Sequence, residues 1–212
     1  MFNTTRNNDF QEILVGRRSI RKYDSSVKIS KEEMAEIIED ATRAPSSVNM
    51  QPWRFLVIES EEGKATLAPL ARFNQLQVET SSAMIAVFGD LNSFENGEDI
   101  YSKAVELGYM PTEVKEKQMA ALTNYYANLS PEVNKETVLI DGGLVSMQFM
   151  LTARAHGYDT CPIGGFEKDQ IAEAFGMDKE RYVPVMLISI GKADGAGYQS
   201  VRLPVETIAE WK

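Results

Sequence analysis

The chain has 212 residues, of which 43% are hydrophobic and 25% charged, a composition typical of one globular domain. Its formal net charge is -9, which disfavours nucleic acid as a partner but is compatible with a small buried anion. Cys161 is the single cysteine, which excludes an internal disulfide and indicates a reducing, cytoplasmic location.

The N-terminal part of the chain begins without a visible export signal, because MFNTTRNNDF has no basic region followed by an apolar stretch. Apolar residues at helical spacing predict a short helix over 9–16. Ser30 and Glu33 form a capping box, which predicts a second helix that ends before Pro45. A loop rich in turn formers follows at 44–52.

Strands and helices alternate in the rest of the chain. Runs of apolar and β-branched residues predict three buried strands, at 53–59, 83–90 and 183–191. Apolar periodicity and capping residues predict helices at 60–71, 97–107, 112–129, 131–156 and 167–177. This order favours a single α/β or α+β domain over 1–212, with a sheet between helical layers.

Two apolar segments must find a surface to pack on. The longest mostly apolar run, 137–155, is interrupted by Asp141, Gln148 and Arg154, so we expect a buried helix and no membrane span. The tail from about residue 198 to 212 carries several large apolar side chains: Val201, Leu203, Val205, Ile208 and Trp211. We predict that this tail packs on another surface, such as a partner subunit.

Several mechanisms are disfavoured by the residues that the chain lacks. His156, the one histidine, lies at a predicted helix C-terminus, and without a second histidine we expect no metal site of the zinc type. No GxSxG motif accompanies it, which argues against a serine triad. Cys161 precedes Pro162 and has no histidine to activate it, so a packing role is favoured. P-loop and Rossmann fingerprints are also missing from the sequence.

A basic cluster stands out in this acidic chain: Arg17, Arg18, Arg21 and Lys22 fall within six positions. One interpretation is that they compensate the dipole of the first helix and are otherwise solvated. The other is that they bind a phosphate, because arginine offers a planar fork and Ser19 adds a hydroxyl donor. A helical or turn geometry would put Arg17 and Arg21 on one side.

Four segments together resemble the signatures of one protein family, in the same order and at suitable distances. They are RRSIRKYD (17–24), APSSVNMQPWRFLVIE (44–59), PIGGF (162–166) and RLP (202–204). The chain resembles the nitroreductase family of FMN-dependent flavoenzymes, which use NADH or NADPH. The resemblance implies an α+β fold with a central, mostly antiparallel sheet flanked by helices, in an intertwined homodimer.

The resemblance also implies which residues bind FMN. Arg17, Ser19 and Arg202 would hold the phosphate, and Arg18 would contribute at the same end. Arg21 would lie near the pyrimidine edge of the isoalloxazine, where a cation stabilises the negative charge of the reduced flavin. The partner subunit would supply a second set to the same cofactor: Pro45, Ser46, Ser47 and Asn49.

Further positions match the family around the flavin ring and the ribityl chain. Asn74 and Gln77 would make polar contacts to the ring, the alternative being a polar helix surface. Asp141 would accept hydrogen bonds from the ribityl hydroxyls, because a buried carboxylate without partners would be costly. The PIGGF loop would lie over the ring through Pro162, Ile163, Gly164 and Gly165.

Two positions depart from the family pattern. Gly164 stands where an acidic residue is common, so any role of that carboxylate in orienting nicotinamide or substrate is absent. Ser200 stands where a lysine is common, so neutralisation of the phosphate would rely more on Arg17, Arg18 and Arg202.

The function that the resemblance implies is a ping-pong transfer of electrons from NAD(P)H through FMN to small planar acceptors, such as nitroaromatics or quinones. No catalytic side chain is expected, because the flavin N5 carries hydride transfer. Phe73, Tyr125 and Tyr126 are candidates for a lid, with core packing as the alternative. Other activities stay open: ene-reductase, dehalogenase or free-flavin reductase, or a flavin-binding protein without turnover. The sequence decides neither the acceptor nor the preference between NADH and NADPH.

Overall fold

A four-stranded antiparallel sheet forms the centre of the structure, a computed structural model that describes residues 6–212. In the order β1-β2-β4-β3, its strands are β1 Trp53–Ile58, β2 Ala83–Asp90, β3 Asp159–Ile163 and β4 Tyr182–Gly191. The predicted α+β fold with an antiparallel sheet is confirmed. The prediction of no export signal concerns in part residues 1–5, which lie outside the described residues.

Helices cover both faces of the sheet. In chain order they are α1 Phe10–Gly16, α2 Lys31–Ala41, α3 Glu61–Leu67, α4 Gln75–Thr80, α5 Gly97–Glu106, α6 Thr112–Ala127, α7 Pro131–Ala155, α8 Lys168–Ala174 and α9 Val205–Ile208. The predicted helices match these bounds to within a few residues, but α4 and α9 were not predicted.

The alternation of side chains along β2 divides the core into two layers. Its odd-numbered residues, such as Ile85, pack with α2 and α7, whereas its even-numbered residues, such as Met84, pack with α3, α4 and α8. All eight residues of β2 are buried, which explains why its sequence reads as an unbroken apolar run.

A bulge in β4 matches a glycine of α7. The register between β2 and β4 shifts after Val87, so that Val185 lies between the residues paired with Val87 and Phe88. A Cβ added to Gly142 would lie 2.5 Å from Cγ2 of Val185. Glycine at position 142 therefore lets the long helix α7 lie directly on the bulged strand.

The strand β3 was missed because Pro162 breaks the pattern that identifies strands. Proline lacks an N–H and is tolerated at a sheet edge, and β3 is the edge strand next to β4. The open side of β3 is partly covered by the chain after α1, where the Ile20 N–H donates to the Thr160 carbonyl at 3.0 Å. This pairing places the basic cluster beside the strand that leads into PIGGF.

Local signals in the sequence set the ends of α7 and the start of α2. Ser130 is the N-cap of α7: it directly precedes Pro131, and its hydroxyl accepts from the Val133 N–H. His156 is the C-terminal cap. The Ser30 hydroxyl accepts from the Glu33 N–H at 3.1 Å, as one half of the predicted capping box. The Glu33 carboxylate accepts instead from the Tyr158 hydroxyl at 2.7 Å.

Two segments of the described chain lie outside the core. The helix α6 has no buried residue, and the tail after Tyr198 leaves large apolar side chains exposed, with Val201 at 94% and Trp211 at 80%. Among the helices of residues 6–212, none combines the length and the apolarity needed to cross a membrane.

Candidate cofactor site

The basic cluster lies in extended backbone beside β3. Arg17, the C-cap of α1, already has extended dihedral angles, and Ser19 forms a bridge with Thr160. The predicted helical or turn geometry is therefore wrong for this segment. The period of two in an extended chain nevertheless puts Arg17, Ser19 and Arg21 on one side.

Arg18 fits the first interpretation of the basic cluster as well as the second, whereas Arg17 and Arg21 fit only the second. Arg18 donates to the carbonyl of Val15 at 2.5 Å and to that of Arg17 at 2.9 Å, so it does satisfy the end of α1. Arg17 and Arg21 form no ion pair within residues 6–212. Their charges are available for a ligand.

Arginines from both ends of the chain line one cavity of about 460 Å³. Arg17, Arg18 and Arg202 share it with Leu14, Val15, Met147, Gln199 and Ser200. Within the described part of the chain, no lining residue carries a carboxylate. Three guanidinium groups around one space repel each other unless an anion lies between them. The cavity therefore suits a phosphate dianion, which arginine forks bind bidentately.

A second group of predicted residues meets around Cys161, one residue before Pro162. Burial raises the pKa of the Cys161 thiol, and Arg21, Gln77, Ser19 and Arg17 each oppose part of that shift. Ser19 and Gln77 therefore lie near the thiol, and the charges of Arg17 and Arg21 act on it. The thiol is 5% exposed and stays protonated, as expected for the packing role predicted from the sequence.

Asn74 and Gln77 connect α4 to the PIGGF loop. Asn74 Nδ2 donates to the carbonyl of Gly165 at 3.3 Å and to that of Ala71 at 2.9 Å. Gln77 Nε2 donates to Asn74 Oδ1 at 3.1 Å, and Gln77 is 5% exposed. The alternative of a polar helix surface is therefore wrong for Gln77.

The PIGGF loop offers mainly backbone to a ligand. The side chain of Ile163 is buried in the core between β3 and α8, so any contact with a cofactor is left to its main chain. Pro162, Gly164 and Gly165 are exposed. A Cβ added to either glycine would meet no atom within 4 Å, which leaves open space above their amides.

The loop with Pro45, Ser46, Ser47 and Asn49 belongs to a separate group with Asp141. The Ser47 N–H donates to both carboxylate oxygens of Asp141, at 3.1 Å each. Burial raises the pKa of Asp141, and the hydrogen bond from Ser47 opposes that shift. This buried carboxylate therefore has a partner, and its oxygens keep lone pairs for further donors.

The backbone of this loop is strained. Val48, Asn49 and Gln51 have φ of 44°, 58° and 48°, which side chains with a Cβ rarely adopt. The Tyr101 hydroxyl holds the carbonyl of Val48 at 3.2 Å, and the Ser46 hydroxyl accepts from the Gln51 N–H at 3.1 Å. Such strain is frequent at ligand sites. The sequence carries no sign of it, because none of the three residues is glycine.

The predicted site residues thus form two halves within one chain. The first half contains Arg17, Arg18, Ser19, Arg21, Asn74, Gln77, 162–165 and Arg202. The second half contains Pro45, Ser46, Ser47, Asn49 and Asp141. In residues 6–212, no hydrogen bond joins a member of one half to a member of the other.

The sequence model of the protein family described as the Nitroreductase family matches residues 14–192. This range includes both halves of the site except Arg202. The chain belongs to the nitroreductase family. YdgI of Bacillus subtilis (strain 168), provisionally named an NAD(P)H nitroreductase, is 72% identical over 97% of this chain and 98% of its own.

Two further relatives of this nitroreductase carry informative names. A provisionally named nitroreductase from Exiguobacterium sibiricum 255-15, solved in complex with FMN, is 68% identical with a TM-score of 0.96, covering 99% of this chain and 100% of that one. The CLA biosynthesis enone reductase of Lactiplantibacillus plantarum is 35% identical over 95% of this chain and 93% of its own.

The two residues that depart from the nitroreductase pattern, Gly164 and Ser200, differ in what they contribute to the site. The Ser200 hydroxyl accepts from Arg202 Nη1 at 2.6 Å, so the residue that replaces a lysine orients an arginine of the cavity. Gly164 leaves open space where an acidic side chain is common.

The three aromatic candidates for a lid differ in environment. Phe73 is 97% exposed, which rules out core packing within the described chain, and Tyr125 is 51% exposed. Tyr126 stacks on Phe94 with ring centroids 4.5 Å apart. The two rings line a cavity of about 730 Å³ under α6, which shares no residue with the arginine cavity. We prefer the smaller arginine cavity as the cofactor site because its three guanidinium groups can bind the phosphate of a cofactor.

Proposed function

We propose that this chain is an FMN-dependent NAD(P)H oxidoreductase that acts on small planar acceptors as a cytoplasmic homodimer. The observation that carries the proposal is the meeting of Arg17, Arg18 and Arg202 around one cavity. FMN, when bound, takes electrons from nicotinamide and passes them to an acceptor that enters after the nicotinamide has left. The FMN complex of the relative that is 68% identical supports this choice of cofactor.

The first half of the site would hold FMN from phosphate to ring. The three arginines of the cavity and the Ser19 hydroxyl would bind the phosphate by charge-assisted hydrogen bonds. Arg21, whose charge acts on Cys161 just before Pro162, would place a positive charge at the pyrimidine edge of the ring and favour its electron-rich form. Gly164 and Gly165 would present backbone N–H groups to the ring without a side chain in the way.

The second half of the site would come from another copy of the chain. Since no hydrogen bond joins the two halves within residues 6–212, a second copy would add its Ser47 loop and its Asp141 to the cofactor held by the first. Asp141 would accept from ribityl hydroxyls with the oxygen lone pairs that Ser47 leaves free.

Exposed apolar side chains support a homodimer. On α1, Phe10 is 65% exposed, and on α7, Ile140 is 65% exposed. The apolar tail to Trp211 is also exposed. A lone chain would leave this surface in water, and a subunit whose tail wraps the partner would cover it.

One experiment tests the proposed function. The purified protein should be yellow or should bind added FMN, and anaerobic NADH or NADPH should bleach the flavin absorbance. Adding a nitroaromatic or a quinone should restore the colour. A protein that neither contains nor binds FMN contradicts the cofactor site. A protein that binds FMN but bleaches with neither donor is a flavin-binding protein without turnover.

A second candidate is the reduction of α,β-unsaturated ketones. It is favoured by the 35% identity with the enone reductase of Lactiplantibacillus plantarum. The same bleached protein, mixed with an enone, separates the two activities: faster return of colour with the enone than with nitroaromatics or quinones would favour this candidate.

A further inference from the structure

The glycine loop of the site lacks anchors of its own. Gly164 and Gly165 are exposed, and a side chain at either position would have open space around it. Their neighbours Ile163 and Phe166 are buried, at 4% and 3% exposure, and hold only the ends of the loop. The conformation of the two glycines must therefore be set by contacts from outside the loop, because glycine restricts its own backbone little.

Those contacts come from the segment 70–74, between α3 and α4. The Glu167 N–H donates to the carbonyl of Leu70 at 2.9 Å, and Asn74 donates to the carbonyl of Gly165 at 3.3 Å. Between them, Arg72 donates to the carboxylate of Glu167 through Nε at 2.7 Å and through Nη2 at 3.1 Å. The two parallel hydrogen bonds make a fork that spans 95 residues of sequence.

The backbone of Arg72 indicates that this fork does more than an ordinary surface ion pair. Arg72 has a φ of 48°, in the left-handed region that favours glycine. Such a conformation persists where surrounding contacts fix it. It is followed by Phe73, which is 97% exposed, and by Asn74, which holds the loop. The strained Arg72 is thus joined to the end of the glycine loop through its ion pair with Glu167, and an exposed aromatic residue follows it in the chain.

We propose that Arg72 and Glu167 are positioning residues of the oxidoreductase. Their fork holds the Gly164–Gly165 backbone in the conformation that meets the cofactor ring, and this inference rests on the proposed function. Neither side chain would touch the cofactor, so both would act through the loop. Lysine at position 72 would keep the charge but lose the planar fork, and should not replace arginine.

The test uses three variants and one control. Arg72→Lys removes the fork, and Glu167→Gln removes the charge of the acceptor. Arg72→Asn removes the fork but keeps a side chain that tolerates a positive φ, so a defect in this variant belongs to the fork. The control, Glu106→Gln, breaks the surface pair of Lys103 and Glu106, which are 2.7 Å apart on α5. All replaced side chains are at least a third exposed, so the variants should fold.

The first readout needs no cofactor. Hydrogen exchange of the amides of residues 164–167 in the apo-protein should be faster in the three variants, and unchanged in the control. The second readout is the rate of flavin bleaching at saturating NADH or NADPH, which should fall about tenfold, as expected for a small misplacement of the reacting groups. FMN affinity should stay within about twofold, because charge-assisted hydrogen bonds hold the phosphate elsewhere.

Two outcomes overturn the inference. Exchange like that of the wild type in all three variants would show that the fork does not hold the loop. Faster exchange with an unchanged rate of bleaching would reduce the fork to a structural contact. A wild type that does not bleach would contradict the proposed function, and the exchange of the apo-protein would still decide whether the fork fixes the loop.

Discussion

Replacing Arg202 by alanine removes one of three guanidinium groups from the arginine cavity. A hydrogen bond to a charged group contributes about 1.5 to 3 kcal/mol, which corresponds to a roughly 10- to 150-fold rise in Kd. Arg202 is exposed and Arg17 and Arg18 stay in place, so we expect the lower end, a rise of about tenfold. Added salt should shrink the difference, because the site is open to ions.

The assay is a titration of apo-protein with FMN, followed by the quenching of flavin fluorescence. Riboflavin is the control ligand, since it has the same ring and ribityl chain without the phosphate. Arg202→Ala should weaken FMN and leave riboflavin unchanged, whereas Arg202→Lys should lie between the wild type and alanine, because it keeps the charge without the fork.

Either of two results would refute this reasoning. An FMN affinity equal to that of the wild type would mean that Arg202 does not contact the phosphate. An equal loss for FMN and riboflavin would mean that alanine disturbs the tail and not the charge.

Three other predictions concern the ring, the core and the ribityl chain. Arg21→Ala should lower the two-electron midpoint potential of the bound flavin by about 30 mV, because a cation beside the ring favours its electron-rich form. The potential is measured by equilibration with a redox dye, and an unchanged value would mean that Arg21 does not lie beside the ring. Gly142→Ala should destabilise the fold by about 1 to 3 kcal/mol in thermal unfolding, because its Cβ would lie 2.5 Å from Val185, and adding Val185→Ala should restore part of the loss. Burial raises the pKa of Asp141 above its ordinary 3.8, so the stability of the wild-type apo-protein relative to Asp141→Asn should fall as the pH rises from below 3.8 through the folded pKa. Asp141→Asn should lack that decline and bind FMN more weakly; a pH profile like that of the wild type would contradict the assignment.

Several parts of the fold could be predicted because their signals are local. Ser130 and Pro131 begin α7 and Gly157 follows its end, so neighbouring residues alone define the helix. The unbroken apolar run of β2 similarly indicates a central strand, since both of its faces are buried. The strand β3 was missed because its identity depends on pairing with β4, which local sequence around Pro162 does not encode.

The candidate site shows the same division. Most of its residues lie in four short motifs, and the resemblance already implied that Arg202 joins Arg17 and Arg18. The contacts that each residue makes could not be predicted. Asp141 meets Ser47 across 94 positions, and Arg72 meets Glu167 across 95. Neither contact leaves a periodic or spaced pattern in the sequence, and the positive φ of Arg72 leaves none either.

The sequence by itself determined most of the elements, the chemistry of the basic cluster and the resemblance to flavoenzymes, because helix caps, apolar periodicity and side-chain charge are properties of residues and their near neighbours. Only the tertiary structure showed that Arg17, Arg18 and Arg202 line one cavity, and that within residues 6–212 no hydrogen bond joins the two halves of the site. Such contacts depend on how the sheet and helices pack, and packing is a property of the whole chain.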